Sequence, residues 1–347
     1  MAVFNAVHLT DLHFGSVPNR TNALQANTIR RKLGSIWQGS TKLPATQDQG
    51  IAERAAAWVY DKSARLQAAG DTLDALVLSG DLATTGLQAD LDAALQYIDA
   101  PPVNGHFRAP RTGEPPNGPH LATIAGLAKT FLIPGNHDRY QNNGGDAGGM
   151  LFDQVFASYW ARNTHGVIAS ILEKPVPGSS SNEVEHLALI GVDACLRQNS
   201  HANGIGRHWG QGHVYSNTST ELEAKTNFAR ARYPDIAVIW VVHFPPHLVG
   251  ATEQLLHHDL IEKASKRLRV SLILSGHTHE NHVYPAGAGS TIWNGGSATQ
   301  FAESRGNWIQ CLDVEIVKNR FVKATRRNYS WDTNMGDFQQ TGLDQYL

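Results

Sequence analysis

Thr130-Phe131-Leu132-Ile133-Pro134-Gly135-Asn136-His137-Asp138 is an apolar run that stops at a proline and a glycine, then presents an amide, an imidazole and a carboxylate. The apolar part predicts a buried strand and the Pro-Gly pair its end. Four other places repeat the design. Val7-His8-Leu9-Thr10 leads into Asp11-Leu12-His13, and Leu76-Val77-Leu78-Ser79-Gly80 into Asp81. Ile239-Trp240-Val241-Val242 leads into His243, and Leu272-Ile273-Leu274-Ser275-Gly276 into His277-Thr278-His279. Five predicted strands thus end in side chains able to hold a metal. In layered α/β proteins ligands gather beyond the carboxyl ends of the strands, so the five ends are expected to meet at one site. A single His or Asp at a strand end is ordinarily a hydrogen-bonded turn residue. Five such ends together need a common cause.

Around these strands the chain alternates strand and helix. Helices are expected over 51–69, 87–98, 150–160, 219–231 and 252–268, the fourth announced by Thr218-x-x-Glu221 as a capping box. Strands are expected over 2–10, 73–79, 185–194, 236–242 and 270–275. Shorter strands follow at 290–293, 308–317 and 320–326, and the tail from Trp331 is polar without clear period. Three long connections interrupt the pattern. Residues 14–50 carry Arg20, Arg30, Arg31 and Lys32, read as a solvated face in preference to an anion contact. Residues 99–120 are proline-rich, with Pro101-Pro102, Pro115-Pro116 and Pro119, and residues 196–217 carry His201, Arg207, His208 and His213. Connections this long in an α/β protein often rim a site. Gly144-Gly145 and Gly148-Gly149 read as a joint. The motifs run from 11 to 279 without a clean boundary, so residues 1–347 are read as one domain with rim insertions near 14–50, 99–120 and 196–217.

Asp11-x-His13, Gly80-Asp81, Gly135-Asn136-His137-Asp138, His243 and Gly276-His277-Thr278-His279, in that order, resemble the calcineurin-like metallophosphoesterases. The resemblance implies a four-layer αββα sandwich, two mixed β-sheets flanked by helices, with a binuclear metal centre at the strand ends. It assigns Asp81 as the bridge, Asp11, His13 and His279 to one metal, and Asn136, His243 and His277 to the other. Hydroxide held between the metals would attack phosphorus. Two divalent ions, two carboxylates and a hydroxide leave that centre positive, and an aspartate at position 136 would cancel the charge. Oxygen and nitrogen donors without thiolate suit Mn, Fe, Co or Zn. Gly80 and Gly276 suit sharp turns beside the ligands. In the family the histidine matching His137 faces the leaving-group oxygen, a role that fits an imidazole near neutrality. Asp138 either orients the other ring nitrogen of His137 or caps the turn; the sequence leaves both open.

Gly80-Asp81-Leu82-Ala83-Thr84-Thr85-Gly86 and His243-Phe244-Pro245-Pro246 are similar to blocks of the cyclic-nucleotide phosphodiesterase-like branch. The resemblance therefore implies a phosphodiesterase, with a phosphomonoesterase or a nuclease of the same superfamily as the alternative. Protein serine/threonine phosphatases carry Asp-Arg-Gly and a Glu where Thr84-Thr85-Gly86 and Asp138 stand. DNA-repair nucleases share Asp11-x-His13-x-Gly15 but append DNA-binding regions. Members that serve as protein-binding scaffolds have lost ligands, and here every ligand position is filled.

The bulk properties describe an ordinary soluble globular protein. Of 347 residues, 41% are hydrophobic and 17% charged, with a formal net charge of −2. That balance offers no basic field for a nucleic-acid backbone, and the expected partner is a small phosphate ester. Self-association is left open. Cys195 and Cys311 lie in apolar runs and read as buried thiols. No run is long enough to span a bilayer and no basic leader precedes Val3-Phe4, which predicts a cytoplasmic protein. Histidine is abundant, at 17. His8 is expected on the far side of its strand, and His247, His257, His258 and His282 at the surface or behind the ligands. His201, His208 and His213 stand between surface and substrate rim.

Overall fold

The apolar runs become central strands because each is covered on both faces. In β7 (Ala237–Val242) the residues Ala237, Ile239 and Val241 join one core, whereas Val238, Trp240 and Val242 join another. β5 (Val184–Val192) divides alike, with Leu187 and Leu189 inward and Ala188, Ile190 and Val192 outward. Side chains alternate across a strand, so a continuous apolar run marks a strand buried twice. The computed structural model describes residues 1–14, 49–84, 86, 88–99, 121, 129–139, 150–160, 165–179, 183–195, 211–247, 254–285, 290–299 and 306–346.

Two mixed six-stranded sheets result. The first has the order β14-β13-β12-β1-β2-β3: β1 (Ala2–Leu9), β2 (Ala75–Leu78) and β3 (Lys129–Leu132) are parallel. β12 (Trp308–Val317), β13 (Arg320–Asp332) and β14 (Asp337–Tyr346) continue it antiparallel. The second has the order β10-β11-β9-β7-β5-β4, with β11 (Thr291–Asn294), β9 (Leu272–Ser275), β7 and β5 parallel. β10 (His282–Pro285) and β4 (Val167–Pro175) are its antiparallel edges. β6 (Gly212–His213) and β8 (Leu255–Leu256) form a small parallel ribbon.

The inner core joins the sheets, and Gly191 makes the approach close: a Cβ there would lie 2.5 Å from Ile133 Cγ2. Helices α1 (Gln49–Ala68) and α2 (Gln88–Asp99) pack with the first sheet, through Trp58 against Tyr329. Helices α4 (Ser216–Arg232) and α5 (His258–Arg267) pack on the outward residues of β5 and β7. This is the expected αββα sandwich.

Polar latches join the sheets at the end away from the strand ends quoted above. The Glu185 carboxylate accepts the backbone N–H groups of Lys318 and Asn319, at the tip between β12 and β13. Both tip residues have left-handed φ, 51° and 61°. Lys174 on β4 reaches Asp71 at 2.5 Å and Asp74 at 2.7 Å, in the turn before β2.

Several local expectations are corrected. β4 and β10 were not expected, and the polar tail folds as the rest of β13 and as β14. Only α3 (Leu151–Val155) is helical in 150–160; turns follow, where Phe152 stacks on Phe156. The capping box fails: α4 begins at Ser216, and the Asn217 side chain already accepts the Thr218 N–H. α5 begins only at His258, because β8 and a left-handed His257 take the preceding residues. Residues 15–48, 100–120 and 196–210, with Arg20, Arg30, Arg31, Lys32, His201, Arg207 and His208, lie outside the described residues, as does the 144–149 joint. Among the described residues no helix is long and apolar enough to cross a membrane.

Candidate metal centre

The loops after β1 and β2 zip together: Asp11 N donates to Gly80 O, His13 N to Asp81 O and Phe14 N to Leu82 O. The next loop, 297–299, clamps them from the other side. Ala298 N donates to Thr10 O, Ser297 Oγ to Asp11 O, and Thr299 Oγ1 to Leu12 O. This clamp holds an unusual backbone. Asp11 (φ 53°), His13 (51°), Asp81 (52°), His277 (70°) and His279 (55°) are all left-handed. Such a conformation costs a side-chain-bearing residue about 1–3 kcal/mol, and it collects at functional sites where the surroundings over-determine it. Gly80 is also left-handed at 101°, and a Cβ there would lie 2.7 Å from His243 Nδ1.

All seven candidate donors converge beyond the strand ends, in two adjoining groups. In the first, Asp11 Oδ1 lies 3.3 Å from His279 Nε2 and 3.8 Å from His13 Nε2, and the two imidazole nitrogens are 3.1 Å apart. In the second, His243 Nε2 lies 3.3 Å from Asp81 Oδ2 and 3.2 Å from Asn136 Oδ1, with His277 completing the group. Donors about 2.0–2.2 Å from one ion lie about 3.0–3.5 Å from each other, so these spacings suit a cation in each group. Asp11 Oδ1 and His277 Nε2 are buried without a hydrogen-bond partner, as donors reserved for a cation would be.

Asp81 stands between the groups, close to His243 and His277 on one side and to His13 and His137 on the other. Its Oδ1 accepts the His137 N–H at 2.8 Å, and its Oδ2 lies 3.3 Å from His243 Nε2 and 3.9 Å from His137 Nε2.

Ligation requires neutral imidazoles and ionised carboxylates; His13, His277, Asp11 and Asp81 meet that requirement, whereas His243 would have to give up a proton to a cation. Burial pushes His13 well below the usual histidine range and His277 down to about 3. Burial would raise Asp11 and Asp81, but His279 beside the first and His243 beside the second hold both below the usual carboxylate range. Burial also opposes protonation of His243; Asp81 outweighs it and raises the group to about 9. His243 Nδ1 faces Ser79 O at 2.7 Å, which turns Nε2 into the site.

His137 sits edge-on to His13, with ring centres 4.9 Å apart, and its Nε2 lies 3.9 Å from Asp81 Oδ2. Its Nδ1 faces the Thr84 carbonyl at 2.8 Å. Asp138 accepts the N–H groups of Leu82, Ala83 and Gly135, so of the two roles left open it takes the turn cap. His8 is buried with Nδ1 on Gln310 Oε1 and Nε2 on Ser79 Oγ, apart from both groups. His213 stacks on Tyr215 at 4.1 Å, and the neighbouring Gly212 packs on Phe244, whose ring lies 4.3 Å from His277. Among the described residues His247, His257, His258 and His282 join no group able to hold a metal. Sequence reasoning missed Ser297, Thr299, Thr84, Arg139 and Asp193. Two hydroxyls and a carbonyl in loops carry no pattern, and Arg139 was signalled only by standing next to the Asn136-His137-Asp138 turn.

The fold agrees with the comparisons. The calcineurin-like phosphoesterase family model matches residues 4–281. The structure is similar to a dimetal phosphatase from Danio rerio, at 11% identity and a TM-score of 0.53, covering 94% of this chain and 95% of that one. A 5'-nucleotidase from Candida albicans aligns at 12% identity and a TM-score of 0.39, over 96% of this chain and 52% of that one. A zinc-complexed Vps29 from Entamoeba histolytica aligns at 11% identity and a TM-score of 0.35, over 99% of this chain and 98% of that one. No curated protein sequence matches. The chain belongs to the calcineurin-like phosphoesterases.

Proposed function

We propose that this chain is a binuclear metal-dependent phosphohydrolase acting on phosphodiesters. The observation that carries the reading is the Asp81 carboxylate, which groups with His13 on one side and with His243 and His277 on the other. Asp11, His13 and His279 would hold one ion and Asn136, His243 and His277 the other, with Asp81 shared. The donors fit Mn, Fe, Co or Zn. Bound metals would supply charge neutralisation at the phosphate and a nucleophile at neutral pH. His137 lends the leaving group a proton: Nδ1–H donates to Thr84 O, so the imidazolium donates from Nε2. The diester preference rests on the blocks around Asp81 and His243. The donors come from both sheets, which favours one domain, and the full donor set favours catalysis over a scaffold role.

Elemental analysis should find about two metals per chain. Asp81→Ala should lose both, and His13→Ala mainly one. Full occupancy in Asp81→Ala would sink the ligand assignment. Against a panel of nitrophenyl esters, kcat/KM should favour diesters; a preference for monoesters with every metal would overturn that half of the reading.

A further inference from the structure

Arg139 is the third residue of the short 3-10 turn His137–Arg139, and its side chain is wholly buried. Nε and Nη2 donate to Asp193 Oδ2 at 3.0 and 2.6 Å, and Nη2 also donates to Asp153 Oδ1 at 2.9 Å. The guanidinium lies over the Phe152 ring, 5.1 Å from its centre. Asp193 follows β5 in the second sheet, and its other oxygen accepts the Cys195 N–H at 2.8 Å. Asp153 lies in α3.

Burying an arginine between two acids is a poor way to gain stability. Desolvation consumes most of the attraction, and apolar residues often do as well. What the planar fork offers is direction, because it fixes a carboxylate at a set angle and distance. The direction matters here. His137 hangs from the first sheet's loops, through Thr84 O on its ring and Asp81 Oδ1 on its N–H. His243 and His277 hang from the second sheet, after β7 and β9. A proton donor on one sheet must keep register with a phosphate held partly by the other, and Arg139 ties the His137 turn to the end of β5.

We infer that Arg139, through Asp193, is a positioning residue that holds His137 in register with the half of the centre built on the second sheet. The inference rests on the reading of His137 as the leaving-group acid. It makes the pair's contribution one of geometry, felt only when the leaving oxygen needs a proton.

The test uses the metal-loaded full chain and two phosphodiesters that differ in leaving group, one nitrophenyl and one alkyl. Arg139→Lys keeps the charge and loses the fork; Asp193→Asn keeps the shape and weakens the pair, and serves if the arginine variant does not fold. His137→Ala is measured alongside. Both variants should keep two metals and an unchanged KM. Each should lose about 10–100-fold in kcat on the alkyl ester, the scale of a misplacement near 1 Å, and far less on the nitrophenyl ester. The double variant should be little worse than either single one. Equal losses on the two esters, a lost metal, or unaltered rates would overturn the positioning role. If His137→Ala shows the leaving-group dependence and Arg139→Lys does not, the link alone fails. If His137→Ala shows none, the acid reading fails and takes the role of Arg139 with it.

Discussion

Gly276 earns its place by what is missing from it. A Cβ there would lie 2.0 Å from Thr10 Oγ1 and 2.6 Å from Asp11 Oδ2. Those two oxygens are already joined at 2.8 Å, and Asp11 Oδ2 also accepts the His277 N–H at 3.0 Å. Gly276→Ala must therefore push Asp11 out of the first donor group while leaving Asp81 and His243 in place. The expected result is about one metal per chain instead of about two, with lower thermal stability; two metals by elemental analysis would contradict it. The glycines beside the ligands were legible in the sequence, but the reason given for Gly276 was not the one the structure shows. Sharp turning was assigned to the glycines. Of Gly80 and Gly276, Gly80 alone has a positive φ, while Asp11, His13, Asp81, His277 and His279 turn left-handed themselves. Nothing in a residue's identity announces that its neighbours will force it there. The loop contacts of Ser297 and Thr299 that do the forcing were illegible for the same reason.

Among elements, legibility followed burial. β7 and β9 are buried throughout, so they read as unbroken apolar runs and their ends pointed to the ligands. β4 is an edge strand with exposed Ala169, Glu173 and Pro175, and β14 is held at the other sheet's edge by its pairing with β13. Backbone ladders hold such strands with little apolar pattern, and the sequence signal fades accordingly. The β12–β13 tip shows what an edge can add. Glu185 satisfies two of its backbone N–H groups, and Asn319 O accepts the Ala237 N–H at 2.8 Å, so the tip is fastened to both β5 and β7. Glu185→Ala leaves both N–H groups without that carboxylate. It should lower the unfolding free energy by about 2–4 kcal/mol, since bonds to charged groups contribute about 1.5–3 kcal/mol each and water recovers part. Denaturant unfolding would measure the loss, while kcat should hold, because the latch lies at the end opposite the candidate metal centre. A large drop in kcat with unchanged stability would reverse that picture.

Across the whole molecule, the family model stops at residue 281 while the first sheet does not. β1 lies between β2 and β12, pairing Ala2 with Ile316 and His8 with Gln310. The clamp on Asp11–His13 comes from residues 297–299. Residues 1–281 alone would leave β1 as an open edge strand, and the left-handed Asp11 and His13 without the 297–299 clamp. That fragment should fail to bind metal and should aggregate; a soluble fragment with cooperative unfolding and two metals would disprove the dependence. The topology also sets a timetable. At roughly 5–20 residues per second, β12 follows β1 out of the ribosome by about a quarter-minute to a minute. Through most of that interval Asp11 and His13 lack the contacts from residues 297–299. Of the candidate donors, Asp11 and His13 are made first and clamped last, so a chain that holds both in place is one whose synthesis has run past residue 299.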